Sequence, residues 1–317
     1  MKIIILGNKR ADYCSEVDYK WTLEQMGHEV LILQESEATG EQVLEASSKA
    51  DALMWIHTWL WRTPGMNMGE VLRQLKERGV PTFTYHLDLM LDLDRHKELA
   101  EIGMFEIQHF FTVEGDFADW LNANTSVKGH YLPAGVILRD CFIAEPDQNF
   151  PYDVVFTGSY DYHATWPYRP KLLNFLRKTY GNKYHRWGHA GRDRFSSPYI
   201  MGADLNKIYS SAKVVVADTF CTNFNKPYYF SNRVFEQTGK GAFVIHPYIK
   251  GLEDCFEIGK EIVSYKYDNF EELKSKIDYY IEHPIEREEI RKAGHERTKR
   301  DHTFTNRLKD MLNTIKL

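Results

Sequence analysis

The stretch that decides the fold is Tyr228-Tyr-Phe-Ser-Asn-Arg-Val-Phe-Glu-Gln-Thr-Gly-Lys-Gly-Ala-Phe-Val-Ile-His246. It predicts a short helix that is capped by Ser231 and followed by a buried strand over residues 242–245. Gly239 or Gly241 supplies the left-handed residue that ends the helix. A helix that feeds a fully apolar strand is typical of a parallel α/β sheet.

The same helix is a candidate ligand site. The unpaired N–H groups at its start suit a phosphate. Glu236 lies about a turn further in and could accept hydrogen bonds from a pair of sugar hydroxyls. The structural alternative is that Ser231 only caps the helix, while Arg233 is solvated and pairs with Glu236. The rest of the chain has to decide between these two interpretations.

Composition indicates a globular chain of two domains, because 317 residues with 43% apolar and 27% charged residues exceed one typical domain. The net charge of -5 gives no overall attraction to nucleic acid or anionic membrane. The four cysteines form no Cys-x-x-Cys pair, so a reduced, cytoplasmic compartment is expected. The apolar run 3–6 is too short for a signal peptide, and no run reaches the roughly 20 residues of a membrane span.

Strands alternate with helices along the whole chain, which predicts parallel, doubly wound sheets. The expected division is a first Rossmann-like domain over 1–145, a second over 146–300, and a carboxyl-terminal helix over 301–317 that packs back toward the first. Two such domains imply a cleft, with ligands at the carboxyl ends of the strands. Chemistry is therefore expected in the loops that follow those strands.

Several nucleotide-binding motifs are missing. Dinucleotide oxidoreductases need Gly-x-Gly-x-x-Gly after the first strand, and Gly7-Asn-Lys-Arg-Ala-Asp12 has one glycine. The phosphate-loop and Gly-x-Ser-x-Gly patterns are absent as well. Residues 160–200 instead hold eight Lys or Arg against two acids, which suits a diphosphate unless it is only a solvated face. Arg169, which follows the loop Gly158-Ser159, is the strongest candidate in this basic segment.

The second half resembles the group 1 glycosyltransferases, and most closely the spore-maturation-type proteins. The resemblance is carried by Ser231-Asn-Arg-Val-Phe-Glu236, Gly239-Lys-Gly241, Glu261-Ile-Val-Ser-Tyr265 and His302-Thr-Phe-Thr-Asn-Arg307. It covers residues 150–317, whereas the first half matches only a generic pattern at Gly27-His-Glu-Val30.

The resemblance implies the GT-B fold, in which two Rossmann-like domains face a central cleft. The second domain would hold a nucleotide-sugar, with a UDP-sugar expected, and the first would hold most of the acceptor. Glu236 would bind the donor ribose, the helix start at Ser231 and Asn232 would face the diphosphate, and Trp187 would contact the nucleobase or belong to the core.

One position departs from the family pattern. Many relatives carry another glutamate eight residues before the one that matches Glu236. This sequence has Tyr228 at that position. The sugar-binding scheme of the family therefore does not transfer unchanged.

Transfer requires stabilisation of the leaving diphosphate, which Arg169 and Arg233 can provide without a metal or a tightly bound cofactor. If the anomeric configuration inverts, Asp88 or His57 is the candidate base. If it is retained, as the resemblance favours, the donor phosphate acts as base and Asp88 orients the acceptor hydroxyl. Asp88 could also be a helix cap and His57 a packed loop residue. The pair Asp92 and Asp94 resembles the metal motif of the other glycosyltransferase fold, but a helix start explains it equally well.

The acceptor side is expected in the loop that carries Trp59, Trp61 and Arg62, together with Trp55. Aromatic faces stack on sugar rings or on flipped bases. The acceptor is thus a glycan, a small molecule or a hydroxymethylated DNA base, as in phage DNA glycosyltransferases. The predicted activity is hexosyl or pentosyl transfer. The alternatives are a nucleotide-sugar epimerase or hydrolase of the same fold, and a non-catalytic sugar-nucleotide-binding protein.

Overall fold

The first sheet is built on the apolar run at the amino terminus. Ile3, Ile4, Ile5 and Leu6 have no exposed surface, as expected for a strand that is covered on both faces. The computed structural model describes residues 1–160, 168–188, 196–218 and 226–317. Its first sheet has six parallel strands in the order β2-β1-β3-β4-β5-β6. These strands are β1 Lys2–Gly7, β2 Glu29–Gln34, β3 Ala52–Trp55, β4 Thr82–His86, β5 His109–Thr112 and β6 Lys128–Tyr131.

A second parallel sheet follows in the chain. Within the described ranges it has six strands in the order β12-β11-β10-β7-β8-β9. They are β7 Val154–Thr157, β8 Tyr184–Trp187, β9 Ser196–Ser197, β10 Val214–Val216, β11 Val244–Pro247 and β12 Val263–Tyr265. The predicted fold class, an α/β protein with two Rossmann-like parallel sheets, is confirmed.

Helices connect the strands, and glycines end several of them. The helices are α1 Ser15–Gln25, α2 Gly40–Ser47, α3 Met68–Glu77, α4 Arg95–Glu101, α5 Gly115–Asn124, α6 Tyr168–Tyr180, α7 Ala203–Ser211, α8 Arg233–Gly239, α9 Leu252–Cys255, α10 Phe270–Glu282, α11 Pro284–Asp301 and α12 Phe304–Thr314. After α8 the left-handed residue is Gly241, with φ of 85°, which confirms one of the two predicted positions. No helix in these ranges is both long and apolar enough to cross a membrane.

The chain divides into two compact units. The first comprises residues 1–133 together with 304–317, and the second comprises residues 134–303. Residues 134–145, which the sequence assigns to the first domain, thus fall in the second unit. In the first unit α12 packs on α1, where the ring of Phe304 meets that of Tyr19 edge-on at 5.0 Å.

Each sheet has a topological switch point, where the strand order reverses. In the first sheet it lies between β1 and β3, and in the second between β7 and β10. Open α/β sheets bind ligands beyond the carboxyl ends of the strands at such points. The residues that follow these four strands are therefore the first place to look for a functional site.

Gly294 lets α11 approach the rest of the second unit closely. A Cβ atom at this position would lie 2.2 Å from the carbonyl oxygen of Glu261. The same helix contacts α8, where the hydroxyls of Thr238 and Thr298 lie 2.7 Å apart. We expect Gly294→Ala to lower the free energy of unfolding by about 2 kcal/mol or more, although alanine normally stabilises a helix.

Urea unfolding would measure this loss. Glu289→Ala, on an exposed position of the same helix, is the control and is expected to stay within about 0.5 kcal/mol of the parent. A Gly294→Ala variant as stable as the parent would show that the two segments can separate without cost.

Candidate functional site

A buried carboxylate lies at the switch point of the second sheet. Asp218 follows β10 and is 1% exposed. Its Oδ2 accepts a hydrogen bond from Arg169 Nε at 2.6 Å, and its Oδ1 accepts one from Arg169 Nη2 at 3.1 Å. Arg233 Nη1 donates to the same Oδ1 at 3.0 Å. Arg169, Asp218 and Arg233 are called the Asp218 cluster below.

The cluster carries two guanidinium groups and one carboxylate, so it retains a surplus positive charge. The side chain of Arg169 is 2% exposed and that of Arg233 is 16% exposed. The surplus charge is therefore presented by Arg233. Asp218 fixes this guanidinium from behind.

Arg233 lines a pocket of about 310 Å³, a volume that includes space open to solvent. Trp187 and Tyr209 contribute apolar surface to its lining, and Glu236 contributes a carboxylate. A cationic group, a carboxylate and aromatic rings in one concave site suit a ligand with a phosphate, hydroxyls and a ring.

Glycines keep the pocket open where two loops meet. The N–H of Gly158 donates to the carbonyl of Trp187 at 2.7 Å. A Cβ atom on Gly188 would lie 2.1 Å from the oxygen of Gly158, and one on Gly158 would lie 3.2 Å from Cζ of Arg233. A side chain at Gly188 would collide with the backbone of Gly158, whereas one at Gly158 would make a tight contact with the guanidinium. The φ values of 141° at Gly158 and 158° at Gly188 also favour glycine.

Glu236 has a different ion-pair partner from the one that the structural alternative assigns to it. Lys240 Nζ donates to its Oε1 at 3.2 Å and also lies 3.2 Å from Asp140. Burial alone would lower the pKa of Lys240, but the carboxylates of Glu236 and Asp140 outweigh it and raise that pKa. Arg233 pairs with Asp218 instead, and the side chain of Glu236 is about one-third exposed at the pocket.

In the first unit the carboxyl edge of the sheet holds a second polar cluster. His57 follows β3 and is buried, with Nδ1 2.6 Å from Glu35 Oε1 and Nε2 3.3 Å from Glu98 Oε1. Burial of Glu98 acts to raise its pKa, but hydrogen bonds from Arg62 and His57 prevail and lower it. Both ring nitrogens of His57 are thus engaged by carboxylates.

Comparison with known proteins adds family information for the second unit. No characterised protein sequence matches the chain. Residues 169–313 match the family described as "Glycosyl transferase-like". The predicted resemblance to glycosyltransferases is confirmed by this match, while the spore-maturation-type subgroup stays a prediction.

Solved structures match the glycosyltransferase fold over the whole chain. An α-glucosyltransferase in complex with UDP and a 13-mer DNA containing an HMU base has a TM-score of 0.74 at 11% identity, with both chains covered completely. Anabaena Alr3699/HepE in complex with UDP and glucose gives 0.67 at 11% identity, covering 99% of this chain and 100% of its own. Sucrose-phosphate synthase from Thermosynechococcus elongatus gives 0.65 at 12% identity, covering 99% of each chain. At these identities the likeness establishes the GT-B fold.

The pocket brings together only part of the predicted donor set. Gly158, Trp187, Arg233 and Glu236 all line it. Trp187 lines the pocket and also belongs to the core, because it is 6% exposed and packs edge-on against Tyr152. Its contact with a nucleobase stays a prediction.

Arg169 requires a correction. Its guanidinium is buried against Asp218 and the carbonyl of Ser159, which accepts from Nη1 at 3.4 Å. A group held in this way supports the pocket instead of projecting into it. The contact from Ser159 to Arg169 is thus made by the backbone carbonyl and not by the serine side chain.

The start of α8 also differs from the expected geometry. Asn232, not Ser231, occupies the N-cap position, and its side chain makes no capping hydrogen bond. Ser231 is buried and its Oγ accepts from the Arg233 N–H at 3.3 Å.

Tyr228 occupies a strained position, with φ of 64°. Its N–H donates to the carbonyl of Lys250 at 2.8 Å, and its ring lies so close to Gly251 that a Cβ there would be 2.3 Å from Cδ1. The tyrosine that replaces the second family glutamate is therefore packed against the turn at Lys250–Gly251.

The predicted basic segment is not a single surface. Arg186 is buried and its Nη1 donates to the carbonyl of Gly158 at 2.8 Å, while Lys183 lies 3.7 Å from Asp153. Arg192, Arg194 and Cys221 lie outside the described residues.

Residues at the first-unit edge are exposed to different degrees. The side chain of Asp88 is 66% exposed and lies 3.4 Å from Arg95. Asp94 is the residue before α4 and pairs with Lys97 at 3.0 Å, as the helix-start interpretation of the Asp92–Asp94 pair expects. Within the described ranges, no cluster of three or more His, Cys, Asp or Glu has the geometry of a metal site.

Two buried groups at strand ends have surroundings that the sequence does not reveal. Asp218 stands two residues past a buried strand, which is a usable signal, but a lone aspartate there does not reveal its two arginine partners. His86 ends β4, is 5% exposed and stacks on Phe110, and burial lowers its pKa to about 3. The sequence predicts that His86 follows the fourth strand, but it gives no sign that the ring is buried.

Removal of the Asp218 charge should show how much its ion pairs with Arg169 and Arg233 contribute to the free energy of unfolding. We expect Asp218→Asn to lower the free energy of unfolding by about 3–5 kcal/mol, since it leaves a buried guanidinium without its counter-charge. Asp204→Asn breaks an exposed pair with Lys207 and should cost about 0–1 kcal/mol. Urea unfolding of both variants is the measurement, and equal losses would contradict the special role of Asp218.

Proposed function

We propose that this chain transfers a sugar from a UDP-sugar to an acceptor hydroxyl, without a divalent metal and with retention of the anomeric configuration. The observation that carries the proposal is the pocket at the switch point of the second sheet, where Arg233 and Glu236 lie with Trp187. Arg233 would contact the diphosphate, Glu236 would accept hydrogen bonds from the ribose hydroxyls, and the nucleobase would lie near Trp187. The UDP in the complexes of the α-glucosyltransferase and of HepE supports this choice of donor.

The departing diphosphate gains negative charge in the transition state. Preorganised positive groups stabilise such charge best when they need not reorganise. The Asp218 cluster fits this requirement, because Arg233 is held by a buried carboxylate and backed by a second guanidinium. Its surplus charge supports a metal-independent reaction.

The acceptor side is assigned to the first unit. Asp88, exposed after β4, would orient the acceptor hydroxyl while the donor phosphate takes its proton. Both nitrogens of His57 face carboxylates, so we assign it a positioning role for its loop in place of the predicted role as base.

A hydroxymethylated DNA base is the acceptor that we propose. The support is the likeness over the whole chain to an α-glucosyltransferase that was solved with DNA containing an HMU base. A glycan or small molecule is the competing acceptor. The likeness to HepE and to sucrose-phosphate synthase supports this alternative.

Glu236→Ala tests the donor site. The loss of hydrogen bonds to a charged group, worth about 1.5–3 kcal/mol, should weaken UDP binding roughly 10- to 100-fold. Isothermal titration of UDP provides the affinity, and a thermal shift checks that the fold is intact. Glu257→Ala, an exposed glutamate of the same unit that pairs with Lys260, is the control and should bind UDP as the parent does. Unchanged affinity in Glu236→Ala would remove Glu236 from the donor site.

Asp88→Asn tests the acceptor chemistry. It should bind UDP normally and transfer sugar at least about 100-fold more slowly, because the carboxylate that orients the hydroxyl is lost. Transfer to an oligonucleotide with 5-hydroxymethylcytosine is measured over a set of UDP-sugars, and the anomeric coupling of the product is read by NMR. Asp94→Asn, and the parent in EDTA, should both keep full activity. Loss of activity in either of these two would point to a metal.

A further inference from the structure

The loop after β3 presents an apolar side chain in a strained conformation. Leu60 is 77% exposed and has φ of 66°, a left-handed value that costs folding energy for any residue other than glycine. It stands between Trp59 and Trp61, at the tip of a turn in which the N–H of Trp61 donates to the carbonyl of Thr58 at 3.0 Å. An exposed leucine needs no explanation on its own, but one that is held in strain does.

One buried glutamate fixes the base of this loop. Glu35 is fully buried and accepts from Trp55 Nε1 at 2.9 Å, from His57 Nδ1 at 2.6 Å and from the N–H of Thr58 at 2.7 Å. Three donors from consecutive parts of the loop thus meet one carboxylate. The loop leaves the sheet along a defined path.

A second glutamate fixes the tip. Glu98 Oε1 accepts from the N–H of Leu60 at 3.1 Å and from Arg62 Nη1 at 2.7 Å. The strained backbone of Leu60 is therefore held by a direct hydrogen bond to its own amide. The side chain of Leu60 is left exposed to solvent.

Arginines surround the tip. The guanidinium of Arg10 lies 5.0 Å from the ring centre of Trp61, and that of Arg95 lies 4.8 Å from the ring centre of Trp59. Arg10 and Arg62 are each more than half exposed, and Arg10 has a surface ion pair with Glu37. Such surface pairs are weak, so a phosphate can replace the carboxylate.

We infer that Leu60 is a wedge that enters the base stack of duplex DNA beside the acceptor base, with Arg10 and Arg62 on flanking phosphates. This inference rests on the proposed DNA acceptor. Proteins that unstack DNA insert a rigid apolar side chain between bases, and enzymes that modify a base must first extrude it. A leucine held in a fixed conformation by two glutamates has the shape for this task. The guanidinium groups of Arg10 and Arg62 beside it now face the exposed carboxylates of Glu37 and Glu101, and phosphates would take the place of these two carboxylates.

A glycan fits the same loop less well. Sugar rings stack on open aromatic faces. Here guanidinium groups already lie over both tryptophans, and the most exposed group of the tip is aliphatic. Nucleic acid suits an arginine that is stacked on an aromatic ring, because a phosphate can bind the guanidinium while a base stacks nearby.

A wedge is needed only where the acceptor base is paired and stacked. The test uses Leu60→Gly, because glycine keeps the left-handed backbone and removes the side chain. The probe is an oligonucleotide with 5-hydroxymethylcytosine next to 2-aminopurine, as a single strand and as a duplex. Binding is followed by anisotropy and unstacking by 2-aminopurine fluorescence.

The parent protein should bind the duplex with a rise in fluorescence. Leu60→Gly should lose most of that rise and bind the duplex at least tenfold more weakly, with single-strand affinity within twofold of the parent. Leu60→Met, which keeps an apolar side chain of similar length, should retain most of the effect. Ile285→Ala, which truncates a residue that is also 77% exposed, should behave as the parent.

Three outcomes would overturn the inference: no fluorescence rise with the parent, equal losses on single strand and duplex in Leu60→Gly, or transfer to a glycan without DNA binding. UDP binding is titrated in the same samples. UDP binding without DNA binding defeats the wedge and leaves the donor site in place. The absence of UDP binding defeats the proposed function itself.

Discussion

The second unit depends on the burial of one carboxylate between two guanidinium groups. Without Asp218, the buried guanidinium of Arg169 would lose this carboxylate, and Arg233 would lack the contact that fixes it at the pocket. The arrangement separates two tasks that one arginine could not combine. Arg169 balances charge inside the protein, and Arg233 offers charge to a ligand.

The sequence was sufficient for the architecture because the buried strands are short, apolar and bounded by glycine or polar residues. Helix α5 escapes this pattern, since Gly115, Asp116 and two asparagines are poor helix formers. The burial of Phe117, Ala118 and Leu121 stabilises it. The expected boundary after residue 145 differs from the division into compact units, because the first unit ends at Pro133 and resumes at Phe304. Contacts between residues that are distant in the chain define the boundary between the units, and the local sequence does not show them.

The candidate site was only partly predictable for a related reason. Arg233 and Glu236 could be named from a short helix and its resemblance to the glycosyltransferases, and Asp88 because it follows a predicted strand. Sequence patterns of this kind were sufficient for these three residues. They do not show which charged groups are already neutralised. Arg169 and His57 looked available, yet buried carboxylates far away in the chain, Asp218 and Glu35, hold them.

The contact between Gly158 and Gly188 limits how this pocket can change. A Cβ atom on Gly188 would lie 2.1 Å from the carbonyl oxygen of Gly158, so a side chain there would force the two loops apart. New ligand preferences have to arise elsewhere in the lining, for example at Tyr199, Leu205 or Tyr209. Efforts to redesign the bound ligand would thus vary these three residues and leave the two glycines fixed.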